Sequence, residues 1–252
     1  MDLGLKGCKA IVTGGTKGIG RAIALMLADE GTHVSVCART KADVEATVKT
    51  IKGKGVGAHG AALDLADAAA LKTWVDDAAK ALGGIDIVVA NASALAIPNT
   101  PESWKREFEV DLMGTVHACE HALPYLEKSK AGAIVVISSV SGVEADVVAG
   151  PYGSTKGALI HYAKGLACRL APKGIRANTV SPGTTYFEGG VWHQIEQNNP
   201  ELFKLGLSMN KMGRMATAEE VANGAVFLAS PRASFITGTN LLVDGALTNK
   251  VA

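Results

Sequence analysis

A chain of 252 residues, 48% hydrophobic and 19% charged, has material for one large core, which excludes a disordered or solvating chain. Its 25 basic and 24 acidic residues leave a net charge of +1, and their scatter offers no electrostatic footprint for nucleic acid or an anionic membrane surface. No apolar run reaches bilayer-spanning length and the first residues lack a basic-then-apolar leader, so the expectation is a cytoplasmic protein outside the membrane, with a small molecule as partner.

Taken in chain order, short apolar runs at Ala10 to Val12, His33 to Cys37, Ile85 to Val89, Ala133 to Ile137, Ala177 to Val180 and Leu241 to Val243 predict buried parallel strands. Between them, helical periodicity covers Ile19 to Glu30, Ala42 to Lys52, Ala68 to Leu82, Pro101 to Glu127, Tyr152 to Leu170 and Ala218 to Ala229. Strand alternating with helix predicts a single α/β domain over residues 1–252, its parallel sheet doubly wound with helices on both faces. The stretch from Thr184 to Met215 shows no clear period, and a segment of that length is expected to be a lid over a site. Cys8, Cys37, Cys119 and Cys168 have no paired spacing and lie in apolar surroundings, which predicts buried, reduced thiols.

Immediately after the first strand comes Thr13-Gly14-Gly15-Thr16-Lys17-Gly18-Ile19-Gly20, followed by a helix. A pyrophosphate needs free backbone N–H groups at a helix N-terminus and residues without Cβ where the backbone approaches it; Gly14, Gly18 and Gly20 meet that need. The second strand ends on Ala38-Arg39 with no carboxylate. An acid there would hold a ribose 2′-hydroxyl, whereas Arg39 can fork onto a 2′-phosphate and Lys17 can add a second positive charge. The expected cofactor is therefore NADP(H).

The strand Ala133 to Ile137 leads into Ser138-Ser139, and Tyr152 and Lys156 follow four residues apart in a helical pattern. That spacing puts ammonium and phenol on one helix face. A phenol is a weak acid near neutrality, and a neighbouring cation favours its phenolate, which fits Tyr152 for proton exchange with a carbonyl or alcohol oxygen.

With TGGTKGIG at 13–20, Asp64-Leu65, Asn91-Ala92, ISSVSG at 137–142, YGSTK at 152–156, Ser181-Pro182-Gly183 and ITGTNLLVDGA at 236–246, the chain resembles the short-chain dehydrogenase/reductase family over nearly its whole length. The resemblance implies a Rossmann-type sheet of about seven parallel strands and hydride transfer at a nicotinamide. It implies Tyr152 as general acid or base, Lys156 holding the ribose while favouring the phenolate, and Ser139 hydrogen-bonding the reacting oxygen. Asp64 with Leu65 would meet the adenine, and Asn91 would line the cleft. Thr16, Ile19, Pro182, Gly183 and Thr184 would border the cofactor, and the family usually assembles as tetramers. One departure is Asp111 in FEVDLMGTV, where the family pattern has Asn supporting a proton relay to the lysine; an ionised Asp accepts hydrogen bonds without donating them.

Two other readings compete. His117-Ala118-Cys119-Glu120-His121 matches the H-x-x-E-H pattern of some zinc peptidases. The histidines fall opposite an apolar stripe through Phe108, Leu112, Val116, Cys119 and Leu123, however, and no third ligand is nominated, so the pair is read as a solvated or subunit-facing surface. A dinucleotide-binding protein without catalysis, with Asp111 marking a decayed site, keeps the fold and denies the reaction. For the substrate, an apolar lid containing Tyr186, Phe187, Trp192 and Phe203 favours a lipophilic ketone or secondary alcohol, with a 3-oxoacyl thioester as the alternative.

Overall fold

In the computed structural model, which describes residues 2–145 and 149–249, seven strands lie in one parallel sheet. They are β1 (Lys9–Thr13), β2 (His33–Ala38), β3 (Ala58–Ala62), β4 (Ile87–Ala90), β5 (Ala133–Ile137), β6 (Arg176–Pro182) and β7 (Asn240–Val243), hydrogen-bonded in the order β3-β2-β1-β4-β5-β6-β7. The helices are α1 (Gly18–Asp29), α2 (Lys41–Lys52), α3 (Ala68–Leu82), α4 (Pro101–Glu107), α5 (Gly114–Leu126), α6 (Gly150–Leu170), α7 (Val191–Asn198), α8 (Pro200–Met209) and α9 (Ala218–Ala229). The strand order reverses direction between β1 and β4, the switch point at which open α/β sheets bind their ligands, outside the carboxyl ends of the strands.

Period-two alternation of the strands divides the core into two layers. Ala10, Val12, Val34, Val36, Ile87, Val89, Ala133 and Val135 face a layer completed by α1, α2 and α9. Ile11, Cys37, Val88, Ile134 and Val136 face one completed by α3, α5 and α6. Strands covered on both sides are apolar on both faces, which is why β4 and β5 read as continuous apolar runs.

Four sequence expectations need correction. The strand β3, Ala-His-Gly-Ala-Ala, was not expected, because it carries no Val or Ile; α2 lies so close above it that a Cβ on Gly60 would stand 2.7 Å from Val44 and Val48. The stretch without a period contains two helices, α7 and α8, whose amphipathic pattern is too short to stand out. The helix expected from Pro101 to Glu127 is interrupted by a π turn at Phe108–Met113, with αR backbone on both sides. Its buried positions are Glu107, Val110, Asp111, Gly114, Thr115, Ala118, Cys119, Ala122 and Leu126, not the expected stripe, of which only Cys119 is buried. Apolar periodicity could not mark a face that carries two carboxylates inward. Among the cysteines, Cys37 and Cys119 are buried as expected, whereas Cys8 is half-buried and Cys168 exposed on α6.

Candidate active site

The glycine turn connects β1 to α1 with Gly14 and Gly18 at φ +64° and +49°. Lys17 is the N-cap of α1, with no side-chain hydrogen bond to the helix and no acidic residue in the first turn. The N–H groups of that end, with the helix dipole behind them, are open to an anion. Asn91, following β4, shapes the turn: Nδ2 donates to the carbonyls of Thr13 and Gly14 at 3.1 and 3.2 Å. A Cβ on Gly20 would stand 2.3 Å from Asn91 Nδ2 and from Gly14 O, so only glycine fits. Thr16 is buried and Ile19 packs against the α1 side of the core.

At the end of β2, Arg39 is exposed and no carboxylate terminates the strand. Lys17 Nζ pairs with Asp43 Oδ2 at 3.0 Å on the surface. Asp64 accepts from Arg106 Nη2 at 2.7 Å and from the Ala66 N–H at 3.0 Å. Partial burial works to raise its pKa and is outweighed by these donors and by the charges of Arg106 and Arg39, which hold the carboxyl below its ordinary range. Leu65 is buried, its side chain packed where Gly114 leaves room.

The chain leaves β5 through Ser138 and Ser139 and makes a short 3-10 turn, Val140–Gly142, capped by Ser139 Oγ accepting from the Ser141 N–H at 3.1 Å. Ser138 Oγ donates to the Lys156 carbonyl at 2.8 Å, and a Cβ on Gly142 would lie 2.6 Å from the α6 backbone. This close approach presses the turn carrying Ser139 onto the helix carrying Tyr152 and Lys156. Lys156 is 2% exposed. Its Nζ lies 5.4 Å from the Tyr152 ring centre, donates to Ile137 O at 3.3 Å and pairs with Asp111 Oδ2 at 3.0 Å. Burial works to lower the Lys156 pKa; the charges of Asp111 and Tyr152 override it and hold the ammonium protonated.

Asp111 is fully buried, and Oδ1 accepts the Ala94 N–H at 2.7 Å. One turn earlier lies Glu107, a residue the sequence did not nominate. It too has no exposed surface, and Oε1 accepts the Ala96 N–H at 2.6 Å. Burial first and the Asp111 charge second push its carboxyl up to about 7. The sequence held no signal for it, since Glu107 stands in the charged run Lys105-Arg106-Glu107-Phe108-Glu109 and only the packing buries it.

At the end of β6, the Gly183 N–H donates to Val243 O at 3.0 Å, fixing the turn after Pro182. Thr184 Oγ1 and Asn210 Oδ1 are 2.8 Å apart, and Thr185 bridges Ala216, so the segment between returns to its own base. Within it Tyr186 stacks edge-on to Phe203 and hydrogen-bonds Glu196, while the Phe187 ring covers Gly18 of the glycine turn. A cavity of about 390 Å³ opens between Tyr186, Glu196, Phe203, Leu207, Met215, Ala216 and Thr217. His117 and His121 stack on α5 with centroids 5.8 Å apart, and His121 stands near Lys72 and Asp76 of α3; the described residues hold no metal-binding group of three ligands.

A family model described as enoyl-(acyl carrier protein) reductase matches residues 14–248. An isoepoxydon dehydrogenase of Penicillium expansum is 41% identical over 98% of this chain and 97% of its own. A 3-oxoacyl-[acyl-carrier-protein] reductase of Staphylococcus aureus is 33% identical over 94% and 97%. Among solved structures, the L-sorbose reductase of Gluconobacter frateurii, complexed with NADPH and L-sorbose, superposes with a TM-score of 0.92 at 30% identity over the full length of both chains. With a doubly wound seven-stranded sheet and Ser139, Tyr152 and Lys156 gathered at its carboxyl edge beside a glycine turn, the chain belongs to the short-chain dehydrogenase/reductase family.

Proposed function

We propose that this oxidoreductase uses NADP(H) to interconvert a ketone and a secondary alcohol. The observation carrying the proposal is the placement of Lys156 Nζ under the Tyr152 ring, 5.4 Å from its centre, at the strand ends beside an uncapped helix N-terminus. The cofactor cradle fits a dinucleotide, since glycine occupies the positions where a Cβ would collide or the backbone is left-handed. Arg39 at the end of β2 and Lys17 in the turn suit a 2′-phosphate, and the sorbose reductase relative is known with NADPH. Asp64 and Leu65 border the adenine side, and Pro182, Gly183 and Thr184 the nicotinamide side.

When bound, the nicotinamide supplies or accepts the hydride. The chain's part is proton transfer and charge stabilisation. Tyr152 gives a proton to the carbonyl oxygen in reduction or takes one from the hydroxyl in oxidation, and Ser139 Oγ hydrogen-bonds that oxygen. Lys156 holds the ribose hydroxyls and favours the phenolate, and Asp111 keeps it charged and in place. The segment 184–215 is read as the lid. Its apolar side chains support a lipophilic substrate, and Leu205 and Met209 are 58% and 49% exposed. A 3-oxoacyl thioester on an acidic carrier is the second reading, favoured by the Staphylococcus relative. Of the lid's three basic residues, Lys204 and Arg214 are already paired with Glu201 and Glu220, which weighs against it.

The test is a panel of ketones, secondary alcohols, keto acids and 3-oxoacyl thioesters with NADP(H) and NAD(H). Turnover of lipophilic ketones with a preference for NADPH that Arg39→Asp reverses is the expected result. Binding of NADPH without turnover of any panel member would leave a dinucleotide-binding protein instead.

A further inference from the structure

Glu107 and Asp111 enter the interior from successive turns of one helical run and clamp the same loop, through the N–H groups of Ala96 and Ala94. Their other oxygens, Glu107 Oε2 and Asp111 Oδ2, are buried without a hydrogen-bond donor among the described residues, although Asp111 Oδ2 keeps its ion-pair distance to Lys156. Among the described residues, the charges facing Glu107 are Asp111 from its own run and Lys156 from α6, and the loop packed against it donates the Ala96 backbone N–H. Two ionised carboxylates against one ammonium would leave a net negative charge in a fully buried position, which burial disfavours. A carboxylate only accepts hydrogen bonds, whereas a carboxylic acid also donates one. The two carboxyls interact directly, and Asp111 Oδ2 is already held by Lys156, so one proton retained between the carboxyls partners Glu107 Oε2 and balances the charge.

We propose that Glu107 carries a proton shared with Asp111, so that the pair presents a single negative charge to Lys156 and Glu107 sets how strongly that lysine favours the Tyr152 phenolate. The first half rests on the buried geometry alone; the second rests on the function proposed above. Glu107 is a positioning residue, acting through Asp111. The upward displacement of its carboxyl to about 7, by burial and by Asp111, agrees with a proton retained at neutrality. Loss of that proton at higher pH adds a second negative charge beside Lys156 and disfavours the phenolate.

Infrared difference spectra of the full chain against Glu107→Gln, taken from about pH 5 to about pH 9, read the proton directly. Glutamine keeps the shape, accepting from Ala96 and donating to Asp111 as the acid does. The expected result is a protonated-carboxyl C=O band at low pH that fades as pH rises through about 7 and is missing from the variant. In Asp111→Asn the band should fade at lower pH, since the repelling charge is gone. In alcohol oxidation with NADP, Glu107→Gln should move the acidic limb of kcat/KM, where activity rises as the Tyr152 phenolate forms, to lower pH by about one unit. Absence of any band lost with Glu107→Gln overturns the shared proton, and superimposable pH profiles overturn the coupling to Tyr152. If neither chain oxidises any alcohol, the functional reading fails while the infrared result still decides the proton.

Discussion

Leu95 and Ala246 are the described non-glycine residues in the left-handed region, at φ 52° and 60°. Leu95 lies between Ala94 and Ala96, whose N–H groups are held by Asp111 and Glu107, so the carboxylate pair fixes the loop in a conformation that an L side chain resists. Leu95→Gly should therefore stabilise the chain by about 0.5 kcal/mol, the relief of left-handed strain less glycine's unfolded-state entropy, as a higher midpoint in urea. A lower midpoint would show that the Leu95 side chain contributes more than its strain costs. At Tyr152 the expectation concerns chemistry. Tyr152→Phe should reduce turnover by at least about a hundredfold, as loss of a general acid does, with NADPH binding kept. Lys156→Ala should weaken both, because the lysine serves ribose and phenol. Steady-state kinetics beside fluorescence titration of NADPH separates the two, and a Tyr152→Phe enzyme with most of its turnover would remove the proposed mechanism.

Elements are held where the site needs them by a few buried polar contacts as well as by apolar packing. Arg176, at the start of β6, is 9% exposed and donates to the carbonyls of Leu228, Ala229 and Ser230 at 2.6, 3.2 and 3.0 Å. It satisfies carbonyls at the C-terminus of α9, where a helix leaves acceptors unpaired and favours positive charge. Burial lowers its pKa without discharging it, since a guanidinium keeps its proton throughout the physiological range. Arg176→Met retains bulk and removes the donors, so a loss of about 3 kcal/mol is expected in equilibrium unfolding. A loss under about 1 kcal/mol would mean that water replaces the guanidinium there. The opposite end of α9 is closed by a capping box between Thr217 and Glu220, which also binds Arg214 at the base of the lid. One helix thus anchors the lid at its start and the sheet at its end.

For the whole molecule, stability should carry the mark of Glu107. An unfolded glutamate releases its proton near about 4.3, whereas the folded chain keeps it to about 7. Between those values the folded state binds more protons, so stability falls as pH rises and levels off above about 7. Glu220 acts in a separate window: its folded value of about 2, set first by Arg214, means its contribution is lost as pH falls below the unfolded value. Urea midpoints across pH should show both slopes, and Glu107→Gln should flatten only the upper one. Assembly is a further expectation. Trp104 and Phe108 are 43% and 53% exposed on the α4 to α5 run, and such rings are favoured at interfaces. Light scattering at micromolar concentration should give a tetramer mass, with Phe108→Asp shifting it down; a monomer would contradict the expectation.

The sequence by itself determined the fold class, the glycine turn and the placing of Tyr152 and Lys156 together on one helix, because each is written locally. Strands covered on both faces read as short apolar runs, a phosphate cradle needs glycines at a strand-to-helix turn, and residues four apart share a helix face. Among the described residues no helix is long and apolar enough to cross a membrane. Where the signal was not local, it failed. The strand β3 takes small residues because α2 covers it, and the lid helices are too short for their period to stand out. The inward face of the α4 to α5 run is polar at Glu107 and Asp111, so hydrophobic periodicity pointed to the neighbouring face. Only the tertiary structure decided that these two acids meet Lys156 in one enclosed space. The charge of a buried group is set by everything packed around it, here from an adjoining loop and a helix about 45 residues away in sequence.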